Sequence, residues 1–410
     1  MSAAWKEARI GDVCEIQSGV GFPKKYQGVI AGEFPFYKVG DMNAPGNETT
    51  INVANNYISS DTQKKLGAKV LPKGSVIFPK VGGAIITNKK RITSRDCCID
   101  NNVMGLIPKR GHIDSVYLWY FLESLSIYEW SNKSNPPSIR KSTVSEWPLR
   151  LPQMSEQKHI VAILDEAFAG IERAIANTEK NLANAQELFL GFLKRAFYVK
   201  QHGWKRSEVG DFAGHCLGKM LDKKKNRGVL RPYLRNVNVR WFDVDTSDLL
   251  AMKIEDAEVD RYMVQRGDLL ICEGGYPGRA AIWESDETMF FQKAIHRVRC
   301  HDAAHGRWLM YFLYLADATG YLRSYFTGAG IQHFTGKSLK RFIVPLAPAD
   351  QAAKLTAQMD ELRVDLDRIE STHKRKLAAL RELKQSLLQK AFSGELTTDR
   401  AERELAVVMP

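Results

Sequence analysis

The 410-residue sequence has no apolar run near the ~18–20 residues that cross a bilayer, and its start, Met1 to Arg9, lacks the apolar core of a secretory signal. Both absences set the expectation of a cytoplasmic protein that meets no membrane. Its 6 cysteines include no C-x-x-C pair, and the neighbours Cys97 and Cys98 suit neither a zinc site nor a disulfide framework, so reduced thiols are expected. Acid is missing between Pro72 and Arg95, a span that carries six basic residues. Glycine and proline are nearly missing from two stretches of some forty residues, which excludes loops there and leaves long helices. Hydrophobic residues at 44% supply enough apolar surface for several cores, which excludes global disorder. The formal charge of +12 favours encounter with a polyanion such as nucleic acid.

The second half echoes the first at an offset of about 195 residues. Trp5 with Gly11-Asp12 matches Trp204 with Gly210-Asp211. Tyr37 with Asp41-Met42-Asn43 matches Tyr233 with Asn236-Val237-Asn238. Gly82-Gly83 matches Gly274-Gly275, and Leu118 to Leu122 matches Leu309 to Leu313. Glu156-Gln157 pairs with Asp350-Gln351, and Lys194 to Phe197 pairs with Gln389 to Phe392. Two copies of one unit stand head to tail.

Each copy divides by texture. Residues 1–150 and 200–343 mix short β-branched and aromatic runs with Gly, Pro and Asn turns, which predicts an α+β domain in each. Residues 151–199 and 344–398 carry apolar positions at alternating steps of three and four, leaving 399–410 as a tail. The first stripe includes Leu164, Phe168, Ile171, Ile175, Leu182 and Phe189; the second includes Leu362, Leu366, Ile369, Leu380 and Leu387. Such stripes predict helices that bury a narrow seam against a partner, and the matched stripe of the other copy is the obvious one. The expected architecture is two globular domains, each followed by a long helix, with the helices paired as an antiparallel coiled coil of pseudo-two-fold symmetry. At ~1.5 Å per residue each rod spans roughly 60 Å, far more than a domain needs for support, which makes the rods spacers.

Basic residues gather in the globular parts. Lys80, Lys89, Lys90 and Arg91 lie in the acid-free span of the first copy, and Lys223, Lys224, Lys225, Arg227 and Arg235 lie in a second cluster. Point charges and guanidinium forks suit phosphate, while Asn, Gln and Arg read base edges, so Asn43, Asn236, Asn238, Gln292, Gln332 and Arg279 are candidate readers. A solvated charged surface is the bland alternative for either cluster. Three apparent catalytic motifs fail on their own terms. Asn135-Pro136-Pro137-Ser138 has Ser where amino-methyltransferases place a stacking aromatic. His301-Asp302-x-x-His305 lacks a third ligand for zinc. Gly274 to Arg279 is Gly-rich but has no Lys-Ser/Thr for phosphate, and a turn placing Arg279 outward is expected.

The segment Leu151-Pro152-Gln153-Met154-Ser155-Glu156-Gln157, the segment Leu388-Gln389-Lys390-Ala391-Phe392-Ser393-Gly394-Glu395-Leu396 and the duplication together resemble the specificity subunit of type I restriction-modification systems, over essentially the full chain. Asp350-Gln351 departs from the usual Glu-Gln of that family, and Pro136-Pro137 from its Gly-rich loop. The resemblance implies a non-catalytic subunit that binds double-stranded DNA. It implies two target-recognition domains reading an asymmetric bipartite site, with the helices as a ruler. It also implies docking to two methyltransferase subunits and, through them, restriction subunits. Cofactors would then sit on the partners, S-adenosylmethionine on one and ATP and Mg on the other, with none on this chain. A specificity subunit of a modification-only complex, a free-standing adenine methyltransferase and a coiled-coil scaffold without DNA remain the competing expectations.

Overall fold

A computed structural model describes residues 5–198, 204–222 and 224–397; Lys223 and the expected tail lie outside them. The chain forms two compact units, one of Met1–Thr178 with Arg375–Pro410 and the other of Glu179–Lys374. The division therefore falls within the long helices rather than at their ends, because each half of a helix packs with the globular part beside it. Among the described residues no helix is long and apolar enough to cross a membrane.

The two long helices are Met154–Tyr198 and Ala349–Ser393, 45 residues each. Proline precedes each, at Pro152 and Pro348, and an acid stands in each first turn, Glu156 and Asp350, complementing the partial positive charge of a helix start. The second ends where Gly394 turns left-handed at φ +87°, a conformation that a β-carbon disfavours.

In the first unit a five-stranded sheet runs in the order Cys14–Ser18, Val103–Pro108, Val76–Pro79, Arg91–Thr93, Thr50–Ile51, and a three-stranded sheet in the order Tyr57–Ile58, Phe34–Tyr37, Cys98–Ile99. The second unit has two four-stranded sheets, Ala213–Leu217, Ile295–Cys300, Leu269–Cys272, Ala280–Ile282 and Leu250–Ile254, Val229–Leu234, Met289–Phe291, Met263–Val264. A short antiparallel pair leads into each long helix: Lys6 faces Leu151 in one unit and Lys205 faces Leu346 in the other.

Within each unit the helix segments run antiparallel. In the first, Glu156 accepts from Thr397 at 3.1 Å and Glu172 from Lys384 at 3.3 Å. Ile160, Leu164, Phe168 and Ile171 share one core there with Leu387, Leu388 and Ala391, and with Tyr117 and Phe121 of the helix Ser115–Glu123. In the second, Gln186 donates to Glu370 at 3.0 Å, and Phe189, Leu193 and Phe197 share a core with Ala352, Met359, Leu366, Trp308 and Tyr311. Equivalent hydrogen bonds anchor globular part to helix in both units. Tyr120 donates to Asp165 and Tyr311 to Asp360, both at 2.6 Å, and the indoles of Trp5 and Trp204 donate to Glu156 and Gln351, both at 2.9 Å. Glu156 is thus the counterpart of Gln351, one position from the pairing read in the sequence.

The seam of the second helix also differs from its apolar pattern. Leu362 and Ile369 are 39% and 37% exposed. Arg363 occupies the inward position instead, its guanidinium 5.9 Å from the ring of Phe189 and 5.2 Å from that of Phe242 while bonded to Asp367 and Glu370. A long cationic side chain can cover aromatic surface and keep its charge satisfied, so it takes an apolar place without looking apolar. Ile175, Leu182 and Leu380 are half-buried.

Candidate nucleic-acid interface

The two globular parts build the same polar junction from different side chains. After the strand Phe34–Tyr37, Asp41 turns back to accept from the Lys38 amide at 2.7 Å; after Val229–Leu234, Asn238 accepts from the Arg235 amide at 2.8 Å. Asp41 is therefore the counterpart of Asn238, and the two asparagines Asn43 and Asn238 are not equivalent. The neighbouring parallel strand leaves through the Asp100 amide donating to Tyr37 at 3.0 Å, matched by Gln292 donating to Leu234 at 3.1 Å. Gly19 and Gly218 lie against these crossings so closely that an added β-carbon would stand 2.0 Å from the Asp100 carbonyl oxygen and 2.3 Å from that of Gln292. Only glycine permits that approach.

A third segment closes the junction. The Ile139 amide donates to the Lys80 carbonyl at 2.9 Å, and the Phe334 amide to that of Glu273 at 2.7 Å. Lys80 and Glu273 also donate equivalently, to the carbonyls of Asn102 and Ala294, both at 2.8 Å. Lys80 thus corresponds to Glu273, a charge reversal on one scaffold. Lys80 stands beside Asp100, whose carboxylate accepts from the amide and side chain of Asn102 at 3.0 and 3.3 Å. Burial lowers the Lys80 pKa, opposed by Asp100, and raises that of Asp100 despite those bonds. Glu273 stands 3.5 Å from His333. Asn236 donates to the Gly274 carbonyl at 3.1 Å, and Arg279 to the Asn236 carbonyl at 2.9 Å while lying over the ring of Tyr276. Arg279 is therefore folded against the turn and half-buried, not aimed outward as expected.

The remaining candidates separate by burial. Lys90 is fully buried, its ammonium donating to the Leu125 carbonyl at 2.9 Å, and burial drives its pKa down to about 8 despite Glu123. Arg91 is buried and donates to the carbonyls of Lys90 and Met42. Asn238 is buried and gives its amide hydrogens to Asp245 and Asp248 carbonyls. These three hold loops in shape; their polar groups are spent inside the protein, which corrects their expected place at a surface. Lys89 is half-buried and bonded to the exposed Asn43. Arg235 pairs with Asp248 at 2.6 Å, and Gln332, Lys224, Lys225 and Arg227 are exposed. His305 is buried, with its Nε2 donating to the Ala347 carbonyl at 2.9 Å, and Pro137 of the Asn-Pro-Pro-Ser loop accepts from Gly82 at 2.8 Å, so both motifs serve the fold. A cleft of about 820 Å³ in the first unit is lined by Lys89, Arg91, Arg381 and Lys384 but equally by Glu48, Glu123, Asp165 and Glu172, a balance that does not suit a polyanion.

Asp100, Glu273 and His333 went unread in the sequence. The signal was present: Glu273 directly precedes Gly274-Gly275 and Lys80 stands just ahead of Gly82-Gly83, with one residue fewer between them in the second copy.

Residues 3–181 match the family described as type I restriction modification DNA specificity domain. The chain is 24% identical over 363 residues to the EcoKI specificity subunit of Escherichia coli strain K12, covering 82% of this chain and 78% of that one. It is 23% identical over 363 residues to the StySPI specificity subunit of Salmonella potsdam, with the same coverage. Among solved structures, a chain of a type I R-M system studied for its complex assembly and conformational transition superposes with a TM-score of 0.76 at 16% identity, over 97% of this chain and 100% of that one. The HsdS subunit of Thermoanaerobacter tengcongensis does so with a TM-score of 0.57 at 17% identity, over 96% and 97%. At these identities the structural likeness speaks for the fold.

Proposed function

We infer that this chain is a specificity subunit of the type I restriction-modification family and reads an asymmetric bipartite DNA target with one globular part per half-site. The single observation that carries this reading is the polar junction built twice on one backbone plan, held in shape by buried Asp41 in one copy and Asn238 in the other, with the half-buried Lys80 of the first copy replaced by Glu273 in the second. A retained scaffold with exchanged donors and acceptors is what two readers of different words require, since Lys donates to guanine O6 and N7 while Glu accepts from the cytosine amino group.

The helices set the distance between the half-sites. Each is continuous over 45 residues, about 68 Å at 1.5 Å per residue, comparable to ~20 base pairs at 3.4 Å each. The intervening base pairs are counted and not read. The chain contributes recognition and no chemical step. Two methyltransferase subunits dock on it and use S-adenosylmethionine to methylate adenine, and ATP- and Mg-dependent restriction subunits join through them.

Mapping of methylated adenines in cells with and without the chain tests the reading. The expected result is one bipartite motif with unlike halves that disappears with the chain. In a variant carrying four extra residues in the first long helix, about 6 Å, the motif keeps both halves and widens by one or two base pairs. A motif without a gap, or a gap indifferent to the insertion, overturns the reading.

A further inference from the structure

The segment ahead of the third strand of each globular part repeats in sequence, although its last two residues lie in the loop in the first copy and open the strand Val229–Leu234 in the second. Lys24-Lys25-Tyr26-Gln27-Gly28-Val29-Ile30 corresponds residue for residue to Lys224-Lys225-Asn226-Arg227-Gly228-Val229-Leu230. In both, a side-chain amide closes the turn onto an earlier carbonyl, Gln27 to Phe22 at 2.7 Å and Asn226 to Met220 at 3.1 Å. In both, the glycine is left-handed, φ +84° at Gly28 and +93° at Gly228. The two lysines are exposed in each copy, and none of the four enters an ion pair among the described residues.

Folding does not explain the aliphatic pair that follows. Val29 and Ile30 are 48% and 83% exposed, and Val229 and Leu230 are 57% and 64% exposed. Phosphate needs the lysines but has no use for bare aliphatic side chains, whereas an apolar centre with a charged rim is the make-up of a protein interface. The lysines and the aliphatic pair recur in both copies while the junction side chains Lys80 and Glu273 differ, so a surface common to the two copies stands beside one that diverges.

We propose that the Lys-Lys…Gly-Val-Ile/Leu loop is a docking element used twice, each copy seating one protein subunit that presents an apolar pocket with an acidic rim. The occupant is the methyltransferase subunit, a partner that rests on the function inferred above. The two loops then account for two copies of one partner on a single unsymmetrical chain.

The test uses the full chain co-expressed with the methyltransferase subunit of its system, with stoichiometry read by native mass spectrometry and affinity by titration. The parent takes up two copies. Ile30→Asp and Leu230→Asp, both at exposed positions, each weaken one copy by roughly 30-fold, the scale of an interface hot spot, and leave the other unchanged; together they weaken both. Lys24→Glu with Lys25→Glu acts on the same copy as Ile30→Asp. Variants that hold two copies as tightly as the parent overturn the proposal. So does an equal loss of both copies from one single variant. If the four lysines changed to Ala instead lower affinity for random duplex and flatten its salt dependence while stoichiometry stays at two, the loops grip DNA and the docking proposal falls. A parent that takes up no methyltransferase overturns the inferred function, and the partner named here with it.

Discussion

Glu273→Lys recreates at the second junction the side chain that Lys80 supplies at the first, and its effect on recognition follows from the shared geometry. The fold itself has little at stake: the carboxylate is 21% exposed and its neighbour His333 is 3.5 Å away, so losing that pair costs at most about 1 kcal/mol. At the DNA the exchange is larger. An acceptor matched to a cytosine amino group becomes a donor matched to guanine, and one such base contact discriminates by ~1–3 kcal/mol, a factor of roughly 5 to 150. Added positive charge also tightens binding to every sequence alike, which selection among competing sites cancels. The assay is methylation of a duplex library with one half-site randomised at a time, read by sequencing. One or two positions of a single half-site change preference in Glu273→Lys, the other half-site stays as in the parent, and Lys80→Glu alters the opposite half. Equal change in both halves, or lost activity without a new preference, refutes the assignment of one junction to one half-site.

Three further outcomes follow from the packing and the buried charges. Tyr120→Phe strands Asp165 without its 2.6 Å donor and destabilises the first unit by ~1.5–3 kcal/mol in urea unfolding; Tyr311→Phe costs less, because Arg307 still holds Asp360 at 3.1 Å. Leu366→Ala, at a site 3% exposed, lowers stability by about 2–4 kcal/mol, while Leu362→Ala, 39% exposed, stays within ~1 kcal/mol; the reverse order in thermal melts would restore the apolar seam read from the sequence. His296 is buried with its Nε2 donating to the Phe334 carbonyl, and burial lowers its pKa to about 4, with His215 adding to the effect. The folded state therefore binds fewer protons than the unfolded one, and stability of order 2–3 kcal/mol is present above pH ~6.5 and lost as pH falls toward 4. In unfolding curves between those values, His296→Gln flattens the slope; an unchanged slope places the titration elsewhere.

Much of the architecture was legible because its anchors are chemically distinctive. Trp5 and Trp204, the Gly-Asp pairs after the first strands and the long helices poor in glycine and proline recur over long stretches, and a repeat with such landmarks admits few folds. Errors arose where chemistry and position part. Arg363 holds an aromatic-lined place in the seam, so a search for apolar residues selected Leu362 and Ile369 beside it. Loops of unequal length shifted the correspondence of Asp41 by two residues, and only the hydrogen bond back to Lys38, matched at Arg235 and Asn238, restores it. Lys90 and Arg91 read as surface charge because nothing in their neighbourhood of sequence announces the Leu125 and Met42 carbonyls that receive them. The junction carrying Lys80 and Glu273 joins segments far apart in the chain, and its equivalence rests on backbone bonds that composition does not encode.

The most direct measurement replaces residues 200–343 with a second copy of residues 1–150, leaves both long helices intact, and maps adenine methylation in cells expressing that protein. Both halves of the target become the word read by the first globular part, at the parent gap. A motif that retains the original second half, or keeps both words but changes the gap, contradicts a chain in which each globular part reads alone and the helices measure.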